Sequence, residues 1–110
     1  MTHSCRTEML EGKQIFTLFG KLRTGTTSFI LNELQYCLNQ KAMRYVIDLR
    51  SVTDLDCRGL GLLVTLKNSI KDSAKIVELI IEDPFIQELI MMAKLDQMFR
   101  LVTTKELPVT

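Results

Sequence analysis

The sequence predicts an α/β domain: a mixed sheet of four to five strands with an N-terminal hairpin, covered by three to four helices. Three observations carry this. Apolar residues switch several times between strand-like and helix-like periodicity. Two short β-prone runs near the N-terminus flank a Gly-containing connection. Beyond them, β-prone and helical stretches alternate, and strand–helix–strand units make parallel neighbours joined by right-handed crossovers. With 110 residues, 46% hydrophobic and 25% charged, the chain supports one core and so one domain over residues 1–110.

The elements follow in order. Arg6 to Leu10 and Gln14 to Phe19 are the hairpin strands, and Glu11-Gly12-Lys13 is a three-residue connection between them. From Thr26 the pattern is helical: Ile30, Leu34 and Leu38 share a stripe with Leu31 beside it, and Thr24, Gly25 and Thr26 are entry and capping residues. Tyr45 to Leu49 is a compact apolar strand of the kind buried on both faces. A polar turn leads to a second helix over Cys57 to Lys71, and Ile76 to Ile81 is the next strand. Asp83 and Pro84 read as the N-cap and first position of a third helix. Its apolar face is Phe85, Leu89 and Ala93, with Ile86 and Ile90 alongside, and Leu95 to Val102 is a short apolar finish. Cys37, Met91, Met92 and Met98 are read as core-filling side chains.

Charge and cysteine content narrow the function classes. The formal net charge is +1, from 14 Lys+Arg and 13 Asp+Glu, which gives no bulk footprint for nucleic acid. The longest nearly unbroken apolar run, Leu60 to Leu66, is far below the ~20 residues of a membrane-spanning helix, so no direct membrane insertion is expected. Residues Met1 to Arg6 lack an apolar signal core, which makes the cytoplasm the expected compartment. The 3 cysteines, Cys5, Cys37 and Cys57, are dispersed without a CxxC pair, so reduced thiols are expected rather than a disulfide framework. His3, the one histidine, lies near the terminus without motif partners, and neither a metal, a cofactor nor a catalytic residue is expected.

One stretch carries a functional signal. In VIDLRSVTDLDCRGLG, Val46 to Gly61, a buried strand runs out into a polar loop, and Asp56-Cys57-Arg58-Gly59-Leu60-Gly61 opens a helix. This resembles the signature of STAS domains of the anti-sigma-factor antagonist type, in which strand and loop lead to Asp-Ser-(Ser/Thr)-Gly-Leu-Gly. Met92 to Val102 is similar to that family's closing segment, and the hairpin, Gly20-Lys21-Leu22 and the element order extend the resemblance over nearly the whole chain. The resemblance implies a non-enzymatic protein-binding switch, cytoplasmic, monomeric or weakly dimeric. Its partner would be an anti-sigma factor that is also a serine kinase. In the family, phosphorylation of the signature serine blocks binding, because a phosphate brings about −1.5 to −2 charges to the docking face.

The chain departs from that pattern at the decisive position. Cys57 stands where the phosphorylated serine belongs, Arg58 replaces the following Ser/Thr, and Arg23 replaces an acidic residue often found where the first helix begins. A thiol is not a serine kinase substrate, so phosphorylation at the usual site is not expected. Ser51 and Thr53 are substitute hydroxyls in the same loop, of a kind that ordinarily bonds nearby backbone. The expected partner-binding residues are Arg23, Thr24, Asp54, Asp56, Cys57, Arg58 and Leu60. Asp56 is the cap of the second helix, and Gly59 and Gly61 mark close approach by a neighbouring strand or by a partner. Arg23 and Arg58 suggest an anion-accepting edge. Two further functions fit the departure: a STAS subunit of a lipid-transport ABC system, and a thiol-based redox sensor centred on Cys57, where Arg58 and the helix N-terminus favour the thiolate.

Overall fold

The computed structural model describes residues 5–23 and 25–103. The hairpin joins β1 (Cys5–Leu10) to β2 (Lys13–Leu22), with Leu10 opposite Lys13. Glu11 and Gly12 have φ of 50° and 81°, the positive pair that matches a two-residue turn to the twist of its strands. The connection is therefore one residue shorter than the sequence suggests, and Lys13 is the first residue of β2. The chain continues through α1 (Thr27–Cys37), β3 (Arg44–Leu55), α2 (Cys57–Asn68), β4 (Val77–Ile81) and α3 (Pro84–Met92). A 3-10 turn at Leu95–Gln97 then leads into β5 (Arg100–Thr103).

The sheet order is β1-β2-β3-β4-β5, with β1 antiparallel and the remaining neighbours parallel. The crossovers through α1, α2 and α3 all step the same way across the sheet. Right-handed crossovers that never reverse direction put their helices on one side. Phe16, Leu18, Ile47, Leu49, Leu79 and Ile81 accordingly share one buried cluster with Ile30, Leu34, Leu62, Leu63, Leu66, Ile86 and Ile90 of the helices. The alternate strand residues, among them Ile15, Thr17, Val46, Asp48 and Ile80, line the opposite face. The expectation that Tyr45 to Leu49 is buried on both faces holds, although the two faces are covered differently. Val46 and Asp48 are buried, but by other sheet side chains rather than by a second helical layer.

Further differences concern the ends of β3 and α2 and the residues that α3 buries. β3 runs on to Leu55, so the predicted polar turn holding Ser51, Thr53 and Asp54 is strand. Register shifts at Thr17/Phe19 and Gly20/Lys21 let β2 follow β3 as far as the Leu22–Leu55 pair, whereas β4 leaves β3 at Asp48. Past Asp48 the two strands form an arm with Ser51 and Thr53 exposed, which is why the segment looks polar. α2 ends at Asn68, where the Ser69 hydroxyl donates to the Thr65 carbonyl and the Ile70 N–H to Lys67. α3 is capped by Asp83, which accepts from the Phe85 N–H, with Pro84 at the start as expected. Its buried residues are Ile86 and Ile90, while Phe85 is 66% exposed. Met91, Met92 and Met98 are likewise exposed rather than core, and Cys37 is half-buried. α1 buries Ile30 and Leu34 with Leu31 and Leu38 against the core, the predicted stripe.

Candidate functional site

The site is built where β2 and β3 end and α2 begins. The Asp56 N–H donates to the Leu22 carbonyl at 3.2 Å, which ties the last link of β3 to the end of β2. The Asp56 carboxylate then accepts from the Arg58 and Gly59 N–H groups at 2.9 and 3.1 Å. Asp56 is thus the N-cap of α2, satisfying two of the donors that a helix start leaves open. Position 57 follows as the first residue of the helix, with its side chain exposed at the positive end of the helix dipole.

The two glycines of the signature do different jobs. A Cβ on Gly59 would lie 2.3 Å from the Leu22 carbonyl oxygen and 2.5 Å from Leu55 Cδ1. Since that same carbonyl accepts from Asp56, the first turn of α2 rests on the end of β2, and only glycine fits there. A Cβ on Gly61 would meet nothing within 4 Å. Gly61 instead opens a shallow groove of about 270 Å³ between α1 and α2, lined by Ser28 and Leu31 on one side and Cys57, Gly61 and Thr65 on the other. Sequence reasoning missed Ser28, Leu31 and Thr65. The spacing of four from Cys57 to Gly61 to Thr65, which puts small residues on one helix face, is the signal that could have found Thr65; Ser28 and Leu31 join the groove only through the packing of α1 beside α2.

The remaining expected site residues fall into place unevenly. Arg58 is exposed next to Cys57, and its side chain also lines the groove. Leu60 is half-buried and packs against the core, so it supports the helix start. Arg23 Nη1 lies 3.2 Å from Asp54 Oδ2, both side chains nearly half exposed. Arg23 is therefore matched in charge by Asp54, and the suggested Arg23–Arg58 anion edge reduces to Arg58. Thr26 occupies the N-cap position of α1 but caps nothing: its hydroxyl donates to the Arg23 and Lys21 carbonyls at 2.9 and 3.2 Å, closing the β2–α1 turn. Thr24 and His3 lie outside the described residues.

The other thiols differ from Cys57. Cys5 is buried on β1, and burial together with the Glu33 carboxylate pushes its thiol up to about 11, so it stays protonated at neutral pH. Among the described residues no three His, Cys, Asp or Glu side chains converge as a metal site, and no helix is long and apolar enough to cross a membrane.

Similarity to known proteins agrees with this architecture. An anti-sigma-factor antagonist (STAS) domain protein from Planctomyces limnophilus superposes with a TM-score of 0.83 at 18% identity, covering 96% of this chain and 94% of that one. A putative anti-sigma factor antagonist from Thermotoga maritima gives 0.80 at 17% identity, over 94% and 91% of the two chains. An anti-sigma factor antagonist from Mycobacterium paratuberculosis gives 0.78 at 20% identity, over 88% and 82%. At these identities the likeness is one of fold: a five-stranded mixed sheet with three helices. No curated protein sequence matches the chain. The model of the STAS domain matches residues 5–107, and on that span the chain belongs to the STAS domain family.

Proposed function

We propose that this STAS domain is a non-enzymatic protein-interaction module of the anti-sigma-factor antagonist type. It acts in the cytoplasm as a monomer or weak homodimer. It docks an anti-sigma factor that is also a serine kinase on the α2 N-terminus and the α1–α2 groove. The observation that carries this is the exposure of residue 57 on the first turn of α2, beside a groove that Gly61 keeps open. Asp56 and Gly59 hold the helix start in place, and Leu60 braces it. Cys57 and Arg58 are the contact residues, while the Arg23–Asp54 pair forms the neighbouring rim.

In this reading the thiol keeps the module permanently in its binding form. Serine kinases transfer phosphate to a hydroxyl, and residue 57 offers sulfur. Arg58 adds a positive charge at the helix start that favours an acidic counterpart on the partner. Ser51 and Thr53 are less suited as substitutes, since both stand on β3 rather than at the helix N-terminus.

The test is a titration of the purified chain with the serine-kinase anti-sigma factor, comparing wild type with Cys57→Glu, which brings charge to the site without phosphate. Wild type is expected to bind and the variant to bind at least about tenfold more weakly. Equal affinities would overturn the docking face. Binding to an ABC ATPase in place of the kinase would keep the face and replace the partner.

A further inference from the structure

The side of the sheet on which the described residues place no helix is a formed surface in its own right. A hollow of about 490 Å³ is lined by strand residues alone, from all five strands. Strand pairing arranges it in rows. Ile15 stands opposite Val46, and Ile80 opposite Val102; between β3 and β4, Val46 faces Glu78 and Asp48 faces Ile80, so the two aliphatic pairs are offset by two residues and make a stepped, diagonal band across β2 to β5. Charged residues flank the band: Lys13 opposite Arg44 on one side and Arg6 on the other.

The charges on this face do not cancel. Five cations (Arg6, Lys13, Arg44, Arg50, Arg100) meet three acids (Glu8, Asp48, Glu78). Two acids are already engaged: Asp48 with Arg50 at 2.8 Å and Glu78 with Arg100 at 3.8 Å. Among the described residues, Arg6, Lys13 and Arg44 form no direct ion pair; Arg6 feels the Asp48 charge, and Glu11 borders Lys13 and Arg44 at the edge of the hollow. Arg6 rests 6.0 Å over the Phe19 ring, which leaves its charge available. A chain whose net charge is only +1 thus places an excess of positive charge around one aliphatic band.

Parallel sheets are found almost only with both faces covered. Here β2 to β5 pair in parallel, and the chain's own helices cover one face. We infer that the open face docks an acidic amphipathic helix of a partner protein, the aliphatic band taking its apolar side and Arg6, Lys13 and Arg44 its carboxylates. A second helical layer is the natural complement to a sheet face. The chemistry of the face argues against other occupants. It presents no aromatic ring among its lining residues, so it has no platform for stacking bases. A hollow with a half-buried band also suits a convex helix better than a flat lipid surface. This surface lies across the sheet from the α1–α2 groove, so the two docking events are separate and either can fail alone.

The probe is a synthetic helical peptide with leucines along one face and glutamates on both flanks, titrated into the full 15N-labelled chain. Amide shifts are expected at Ile15, Thr17, Val46, Ile80 and Val102, with Cys57, Gly61 and Thr65 unmoved. The double variant Lys13→Glu/Arg44→Glu is expected to weaken binding at least about tenfold, and added salt to weaken it in wild type. Its unperturbed core amides would exclude misfolding. A lysine-flanked peptide that binds equally well, or shifts centred on the α1–α2 groove, would overturn the inference. So would an anionic vesicle or an oligonucleotide that moves the same amides more strongly than the acidic peptide.

Discussion

The two faces of the sheet bury their residues by different means. On β3, Ile47 is 1% exposed beneath the helices, while its neighbours Val46 and Asp48, pointing the other way, are 6% and 8% exposed with no helix of the described residues above them. Ile47 belongs to the core cluster with α1, α2 and α3; Val46 does not. What shields Val46 and Asp48 is the pleat itself and the long stems of neighbouring charged side chains. Burial alone therefore does not mark the core of this domain. The helical side is sealed by shape, and the open side is partly closed by side chains that a partner could displace.

The largest expected effect breaks that comparison if it is absent. Ile47→Ala should cost about 2–5 kcal/mol in urea unfolding, since it leaves a cavity under rigid helices. Val46→Ala should cost no more than about 1 kcal/mol, because its surroundings can close in. Equal losses would mean the open face is packed as tightly as the core.

Next comes the helix start. Gly59→Ala drives a methyl group into the Leu22 carbonyl and should destabilise by roughly 2–3 kcal/mol. Gly61→Ala, two positions on and facing open space, should stabilise by about 0.5–1 kcal/mol through helix propensity. A destabilised Gly61→Ala would show that the groove is filled.

Asp48 sharpens the account of the open face. Burial pushes its carboxyl up, but side-chain and backbone hydrogen bonds from Arg50, with the charges of Arg50 and Arg6, outweigh it and hold the group below the usual carboxylate range. A depressed folded-state value contributes stability above the unfolded-state pKa, near about 4, and loses it as pH falls through the folded value. Asp48→Asn should remove that part of the acid sensitivity and cost about 1–2 kcal/mol at pH 7, a modest sum because Arg50 is 40% exposed. The smallest effect is at the opposite end of the scale: Arg23→Ala should change stability by no more than about 0.5 kcal/mol, since its pair with Asp54 is half in solvent.

Much of this was readable from the sequence. The β-prone run Gln14 to Phe19, the compact apolar strand Tyr45 to Leu49, the Asp83-Pro84 helix start and the Asp56 cap depend on local chemistry, and each appears where expected. The misses depend on partners far along the chain. The extension of β3 through Ser51 and Thr53 rests on bulged pairing with β2, which no local polarity signal encodes. The face of α3 is ambiguous locally, because Phe85/Leu89 and Ile86/Ile90 are both spaced by four, and only packing on β4 selects the second pair. The open sheet face follows from crossovers that never reverse, a property of the whole topology. At the site, Asp56, Cys57 and Arg58 were legible from the motif, while the groove wall from α1 required the fold.

The central claim is that residue 57 sits at a docking face that phosphate cannot switch. The most direct measurement incubates the serine-kinase anti-sigma factor and ATP with wild type and with Cys57→Ser, reading complex formation and intact mass together. The account predicts that wild type gains no phosphate and stays bound, while Cys57→Ser gains one phosphate and is released. Phosphate on the wild-type chain with loss of the complex would contradict it.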